Sequence, residues 1–363
     1  MRTRNPEMAP LRDPATAQAR LHVDVEAGSP FELLVGMYAT GTPREVREGS
    51  WAPPLAGCPP AARAALTALG ERSGEIWLHL LGLALERRAP DASAFIASVS
   101  AVKPLELRRH VLGSHVPAWV ELIGADVLEA AVRGDERAAK RLLTHDRYYG
   151  RRARESLTAL LPLTAAETKK RILAALRAYA DDVFRGEEER LRHALEEDEA
   201  AKRDLAASLS SRELIAAAAA GYIYEPEPEF SRVVLVPHIA ARPWMLLCQH
   251  RDARIICYAV TEAELDPERA RADRLERLGR ALGDSKRVAI LLRLRRSQAT
   301  FVELAEEVGL ARSTTHHHLA QLRAANLIAL RGNARGYHYI LDSRGFAAAE
   351  ALLGALSPDP SQD

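Results

Sequence analysis

Cysteine is scarce in this chain: 363 residues hold only Cys58, Cys248 and Cys257. Three scattered thiols supply neither a disulfide framework nor a Cys-x-x-Cys metal site, and a reducing cytoplasm fits that usage. Long apolar runs are missing too, and without a stretch of about eighteen apolar residues no membrane-spanning helix is expected. Residues 1–19 are polar and proline-bearing, lack the apolar centre of a secretion signal, and read as a disordered tail. Aromatics make up only 5% of the chain while alanine abounds, a balance that favours helix. Neither sign of charge dominates: 50 Lys and Arg face 49 Asp and Glu, for a formal net charge of +1. Enzymatic signatures are absent. The chain has no Gly-x-x-x-x-Gly-Lys-Ser/Thr phosphate loop, no Gly-x-Ser-x-Gly elbow and no His-Glu-x-x-His pair. No cofactor and no enzymatic activity are expected on that basis.

Apolar residues near half of the composition and a length of 363 allow two globular domains. Leu21, Val23 and Val25 alternate and read as a strand. Ser29-Pro30-Phe31-Glu32 reads as a helix start, with Ser29 as N-cap, Pro30 at the first position and Glu32 three after the cap. Residues 42–60 form a proline- and glycine-bearing loop around Trp51. From 60 to about 220 the apolar spacing predicts only helices, among them 75–87, 165–184 and 187–209. Acidic residues crowd 181–199, a pattern that suits a solvated helix face. The runs Val233-Val234-Leu235-Val236, Met245-Leu246-Leu247-Cys248 and Ile255-Ile256-Cys257-Tyr258 read as strands of an antiparallel sheet, with the strand at Leu21 as a candidate fourth member.

The pattern changes again after residue 266. An arginine-rich amphipathic helix over 268–282 carries Leu275, Leu278 and Leu282 on one stripe. Thr300 and Glu303 have the spacing of a capping box, and Gly309 stands where a left-handed residue would end that helix. A second helix over 311–325 places Thr315, Leu319 and Leu322 on one face. Ile328, Leu330, Tyr337, Tyr339 and Leu341 then alternate around Arg331-Gly332-Asn333-Ala334-Arg335-Gly336, the signal of a hairpin. Helix, turn, helix and hairpin make a winged helix, whose second helix enters the DNA major groove. Phe346, Ala349, Leu352, Leu353 and Leu356 follow at helical spacing.

Leu282-Gly283-Asp284-Ser285-Lys286-Arg287 with Ile290-Leu291, then Leu304-Ala305, Gly309-Leu310, Ser313-Thr314 and His317-His318-Leu319, resemble the ArsR superfamily of winged-helix transcription regulators. The resemblance covers roughly the last quarter of the chain. It departs at Ala311, where the family has serine, and at Thr315, where it has an apolar residue. The cysteine pair of its metal-sensing members is replaced by Glu303-Leu304-Ala305-Glu306-Glu307, which argues against metal sensing there. The resemblance implies a homodimer built through the flanking amphipathic helices. The first strand with Ser-Pro-Phe-Glu-Leu-Leu also resembles the start of a long N-terminal domain of unassigned function found in some such regulators.

The fold class expected is mainly α with small antiparallel β elements: a helical N-terminal domain plus a C-terminal winged helix-turn-helix. The division is a tail over 1–19, a mostly helical sensor or interaction domain over 20–262, a winged-helix domain with dimerisation helices over 266–356, and a tail over 357–363. The residues expected to meet double-stranded DNA are Arg312, Ser313, Thr314, His316 and His317 on the second helix, and Arg331, Asn333 and Arg335 on the wing. The adjacent histidines 316–318 point about 100° apart on a helix and do not close on one metal ion. Cys248, His250 and Cys257 could meet across strands, although apolar strands usually bury lone cysteines as small core residues. His79, His110, His115 and His145 are scattered over helices, and the five-residue step from His110 to His115 does not fit one helical face. The function expected is a cytoplasmic transcription repressor controlled through its N-terminal domain, with an unknown small-molecule effector. An alternative makes the helical domain a ligand-binding or catalytic module and gives the winged helix to protein contacts.

Overall fold

The computed structural model describes residues 21–42, 50–145, 148, 154–260, 267–333 and 336–356. Both expected tails, the junction at 262–266 and Arg335 lie outside the described residues. Strand β1 (His22–Val25) leads into α1 (Ser29–Thr40). A helical layer follows, made of α2 (Pro60–Thr67), α3 (Gly74–Leu78), α4 (Leu81–Arg87), α5 (Ala92–Ala101), α6 (Pro104–Val111), α7 (Pro117–Ile123), α8 (Ala125–Arg133), α9 (Glu136–Thr144), α10 (Arg154–Leu160), α11 (Ala165–Tyr179), α12 (Glu188–Ala206) and α13 (Ser211–Ala218). Then come β2 (Ile223–Tyr224), β3 (Arg232–His238), β4 (Leu246–His250) and β5 (Ala253–Ala259). The C-terminal part comprises α14 (Pro267–Leu282), α15 (Ser285–Leu294), α16 (Phe301–Val308), α17 (Arg312–Ala324), β6 (Ile328–Asn333), β7 (Gly336–Leu341) and α18 (Ser343–Gly354). The mainly-α class with small β elements and a C-terminal winged helix stands.

Local chemistry explains where several helices start. Thr164 and Glu167 form a reciprocal capping box on α11, as Ser210 and Glu213 do on α13. The helix expected over 75–87 is broken after Leu78, where the Leu80 N–H turns back to the Trp77 carbonyl three residues earlier. Gly28, not Ser29, is the N-cap of α1. Glu32 does not turn back on its own helix either. Its carboxylate is fully buried and accepts from the backbone N–H of Ile239 and Ala240 and from Trp51 Nε1 at 2.6 Å. Burial raises its pKa, and those three donors pull the other way. Trp51 is thereby held against the core, its ring over Phe184 at 5.3 Å, so this part of the 42–60 loop is anchored.

The central sheet has the order β1-β3-β5-β4. It is mixed rather than antiparallel. β1 runs parallel to β3, pairing His22 with Arg232, and β3 runs parallel to β5, pairing Arg232 with Ala253. Only β4 is antiparallel, joined to β5 by a tight turn in which Arg251 has φ 53°. The segment after β3 steps over the place of β5, so β3 and β4, consecutive in the chain, are not neighbours. Near-continuous apolar strands are what a sheet covered on both faces requires, and both faces are covered. Val234, Val236, Ile255 and Cys257 pack into the helical layer. Val25, Val233, Leu235, Ile256 and Tyr258 face the other way, into a second core.

That second core runs without a break into the winged helix. It contains Ile215 of α13, Tyr222 and Tyr224, Leu278 of α14, Ile290 and Leu294 of α15, Leu304 of α16, Leu319 and Leu322 of α17, and Ile328 and Tyr339 of the hairpin. The acidic stretch is not wholly solvated. Asp198 is buried, accepting from the Tyr258 hydroxyl and, at 3.1 Å, from Lys202 Nζ. A second buried polar group lies beside β2. Glu227 takes two hydrogen bonds from Arg254, at 2.9 and 2.6 Å, while the Arg254 guanidinium lies 4.3 Å from the centre of the Phe230 ring.

Removing one partner of such a pair leaves a buried charge uncompensated. Glu227→Ala should lower the unfolding free energy by about 3–5 kcal/mol in urea titrations. A loss below about 1 kcal/mol would show that Arg254 is re-satisfied without its carboxylate.

Candidate nucleic-acid interface

The first helix of the motif, α16, is capped at both ends. Thr300 Oγ1 accepts from the Glu303 N–H at 3.3 Å, and Glu303 Oε2 accepts from the Thr300 N–H at 2.7 Å. Gly309 ends α16 in the left-handed conformation at φ 67°, and Leu310 N–H closes back onto the Ala305 carbonyl at 3.0 Å. α17 begins at Ala311, which offers no side-chain acceptor to the first-turn amides. These N–H groups therefore keep their affinity for an anion.

The face of α17 that packs inward consists of Thr315, His318, Leu319 and Leu322. Thr315 is fully buried yet satisfied, since its hydroxyl donates to the Ala311 carbonyl at 3.1 Å. That bond explains how threonine replaces an apolar residue here. His318 lies between helices, with Nδ1 3.3 Å from Arg287 Nη1 and 3.8 Å from Asp284. Burial depresses its pKa. Asp284 caps α15 by accepting from the N–H groups of Lys286 and Arg287. Arg287 reaches back to the carbonyls of Arg280 and Ala281 at the end of α14. The Asp-x-x-Arg pattern thus joins three helices through one guanidinium.

Arg312, Ser313, Thr314, His316 and His317 are all exposed, on the opposite side of α17. His316 stacks on Phe301 with ring centres 4.1 Å apart, and His317 Nε2 accepts from the Gln321 amide nitrogen at 3.0 Å. The three adjacent histidines therefore diverge. Arg331 is exposed on β6. Asn333 is only half exposed, and its amide donates to the Glu225 carbonyl at 3.3 Å. Cys248 and Cys257 point into the helical-layer core and lie in offset positions of the β4–β5 ladder. The hydrogen bond with the neighbouring Cys248, and then burial, push the Cys257 thiol up. His250 turns instead to Glu86 at 2.8 Å.

The wing contains a strand that the sequence did not disclose. β2 pairs in parallel with β6, placing Ile223 beside Arg331 and Tyr224 beside Gly332. The Gly332 carbonyl also accepts from the Tyr222 hydroxyl and the Glu225 N–H. Two residues are too short for an alternating pattern, so only Tyr222 and Tyr224 hinted at a strand. Ala299 bridges the far edge through β7 by two hydrogen bonds with Tyr339, at 3.1 and 2.7 Å.

Gly332 has φ 137°, and a Cβ there would lie 2.3 Å from the Gly336 carbonyl oxygen. Gly332→Ala should destabilise the wing by more than about 1 kcal/mol, seen as faster amide exchange at Tyr337 and Tyr339. Unchanged protection would show that the hairpin tolerates the added carbon.

Residues 284–329 match the model of a family of bacterial regulatory proteins, the arsR family. The nodulation protein NolR of Rhizobium meliloti is 38% identical over 77 residues, which is 21% of this chain and 61% of that protein. The chain thus spans about three-fifths of the length of this curated relative. No solved structure matches the chain.

Proposed function

We propose that the chain, whose residues 284–329 match the arsR family model, is a DNA-binding transcription repressor of the ArsR superfamily whose operator binding is set by its N-terminal part. The observation that carries this reading is the composition of the solvent face of α17. Arg312, Ser313, Thr314, His316 and His317 stand exposed on a helix whose other face is locked into the core. Arg312 has the fork geometry for guanine O6 and N7, and the two hydroxyls suit phosphate or a base edge. Arg331 and Arg335 supply phosphate contacts from the wing. Asn333 braces the wing against Glu225 and contributes less to DNA than the sequence suggested. Nothing in this reading calls for an enzymatic step.

Control by the N-terminal part has a physical route. The segment carrying Tyr222, Tyr224 and Glu225 is built into the wing sheet, so an effector that displaces it also displaces Gly332 and Arg331. The effector in this proposal is a small molecule. The homodimer forms through α14 and α18, where Leu282, Phe346 and Leu353 are large exposed apolar residues, with Leu356 just beyond the end of α18. In such a dimer the recognition helices address two half-sites on one face of the duplex.

Binding to the DNA upstream of the protein's own gene, compared with an unrelated duplex across a salt series, tests the reading. A preference of about a thousandfold or more supports it, and equal, steeply salt-dependent binding to both duplexes counts against it. Arg312→Ala should cost about 1–3 kcal/mol of specific binding and leave nonspecific binding nearly unchanged. Equal loss on both would make Arg312 a phosphate contact. Arg331→Ala and Arg335→Ala should each weaken both complexes and flatten the salt slope by about one. Phe346→Asp with Leu353→Asp should yield a monomer by light scattering. A dimer that survives the double substitution would place the interface elsewhere.

A further inference from the structure

The histidines at 110 and 115 read as scattered, five residues apart. The structure corrects this. α6 ends at Val111, and the chain reverses through Gly113 at φ 71°, whose N–H closes on the His110 carbonyl at 2.9 Å. His115 returns over the end of the helix, so the two rings lie 4.4 Å apart. Glu106 sits one turn before His110 on the same helical face. Its Oε1 is 3.0 Å from His115 Nε2 and 3.8 Å from His110 Nε2. One ligand atom from each of the three residues lies within 4.8 Å of the others. Metal–ligand bonds of about 2.0–2.2 Å set tetrahedral donors roughly 3.4 Å apart, and the 3.0 and 3.8 Å separations from Glu106 Oε1 lie on either side of that spacing.

The surroundings support a ligand rather than a packed core. His110 is 1% exposed at its side chain, and its Nδ1 has no hydrogen-bond partner among the described residues. At 3.8 Å its Nε2 is too far from Glu106 for a hydrogen bond. A buried imidazole with so little satisfied is costly unless something else occupies it. Glu106 is held in place because its other oxygen accepts from Arg109 at 2.9 Å, and Arg109 is itself forked onto Glu129. His250 closes one wall, stacked on His110 at 5.5 Å and held by Glu86. The side chains of Glu106 and His115 keep 35% and 17% exposure, which leaves an entry path.

We propose that Glu106, His110 and His115 form a binding site for a divalent transition-metal ion of the zinc class. Two imidazoles and one carboxylate fit that class, whereas Ca²⁺ and Mg²⁺ select all-oxygen sets. A fourth position is left for water. The ion takes the place of the Glu106–His115 hydrogen bond and engages the unspent His110. This site lies outside the winged helix and does not rest on the reading of the chain as a DNA-binding regulator.

Full-length, tag-free protein stripped with a chelator is titrated with Co²⁺, whose visible absorption reports low-coordinate nitrogen and oxygen ligation. One ion per chain is expected, displaced by Zn²⁺, which binds such sites more tightly than Co²⁺. His115→Gln and Glu106→Gln should each weaken binding by about tenfold or more, with unchanged circular dichroism. In the native chain, Zn²⁺ should protect His115 from acylation by diethylpyrocarbonate, mapped by mass spectrometry; this measurement decides if either variant fails to fold. Absence of Co²⁺ binding, unaltered binding in both variants, or no protection of His115 would overturn the proposal. So would loss of the absorption in the double variant His316→Gln and His317→Gln, which would move the ion to the recognition helix.

Discussion

Burial of the β1-β3-β5-β4 sheet on both faces joins the helical layer to the winged helix. Alternate side chains along β3 and β5 belong to different cores, so the period of two that defines a strand also partitions the molecule. Val234 and Ile255 are committed to the helical layer, Val233 and Ile256 to the winged-helix side. A one-residue slip in either strand would exchange the two sets and place Arg254 in the wrong layer. The Glu227–Arg254 pair resists such a slip, because its charge is satisfied only in the native register. The buried Asp198 does the same for α12 through Tyr258.

The winged helix is therefore not a freely tethered module. Its hydrophobic interior is completed by Ile215, Tyr222 and Tyr224 from before the sheet, and its hairpin acquires β2 as a third strand. A wing edge that would otherwise present unpaired amides is covered by the chain's own earlier segment. This arrangement removes one aggregation-prone edge and limits how far the hairpin can swing on its own.

Much of the C-terminal part was legible in the sequence. Thr300 and Glu303 announced the start of α16, Gly309 announced its end, and the inward set Thr315, Leu319 and Leu322 followed from helical spacing. The outward residues followed by exclusion. What escaped was non-local. Strand direction around β3 depends on where the segment after it crosses, and no periodicity encodes that. β2 was too short to have a period. His110 and His115 came together because Gly113 reverses the chain beyond the helix end, so counting residues along a helix gave the wrong answer. Glu32 looked like part of a helix start and proved to be the acceptor for a distant loop.

Pairing His22 with Arg232 also constrains how the polypeptide is made. The first strand leaves the ribosome long before its neighbour exists, and β2 must wait for Arg331 and Gly332 in the same way. Parallel strands closed over such sequence distances form slowly, because the loop entropy is spent before the contacts are gained. Helices of the α2–α11 layer can assemble as they emerge, around residues such as Trp77, Phe95 and Leu176. The sheet can close only once β5 has emerged, and the wing only once β7 has. During that interval Val23 and Val25 of β1 wait without their partners Val233 and Leu235.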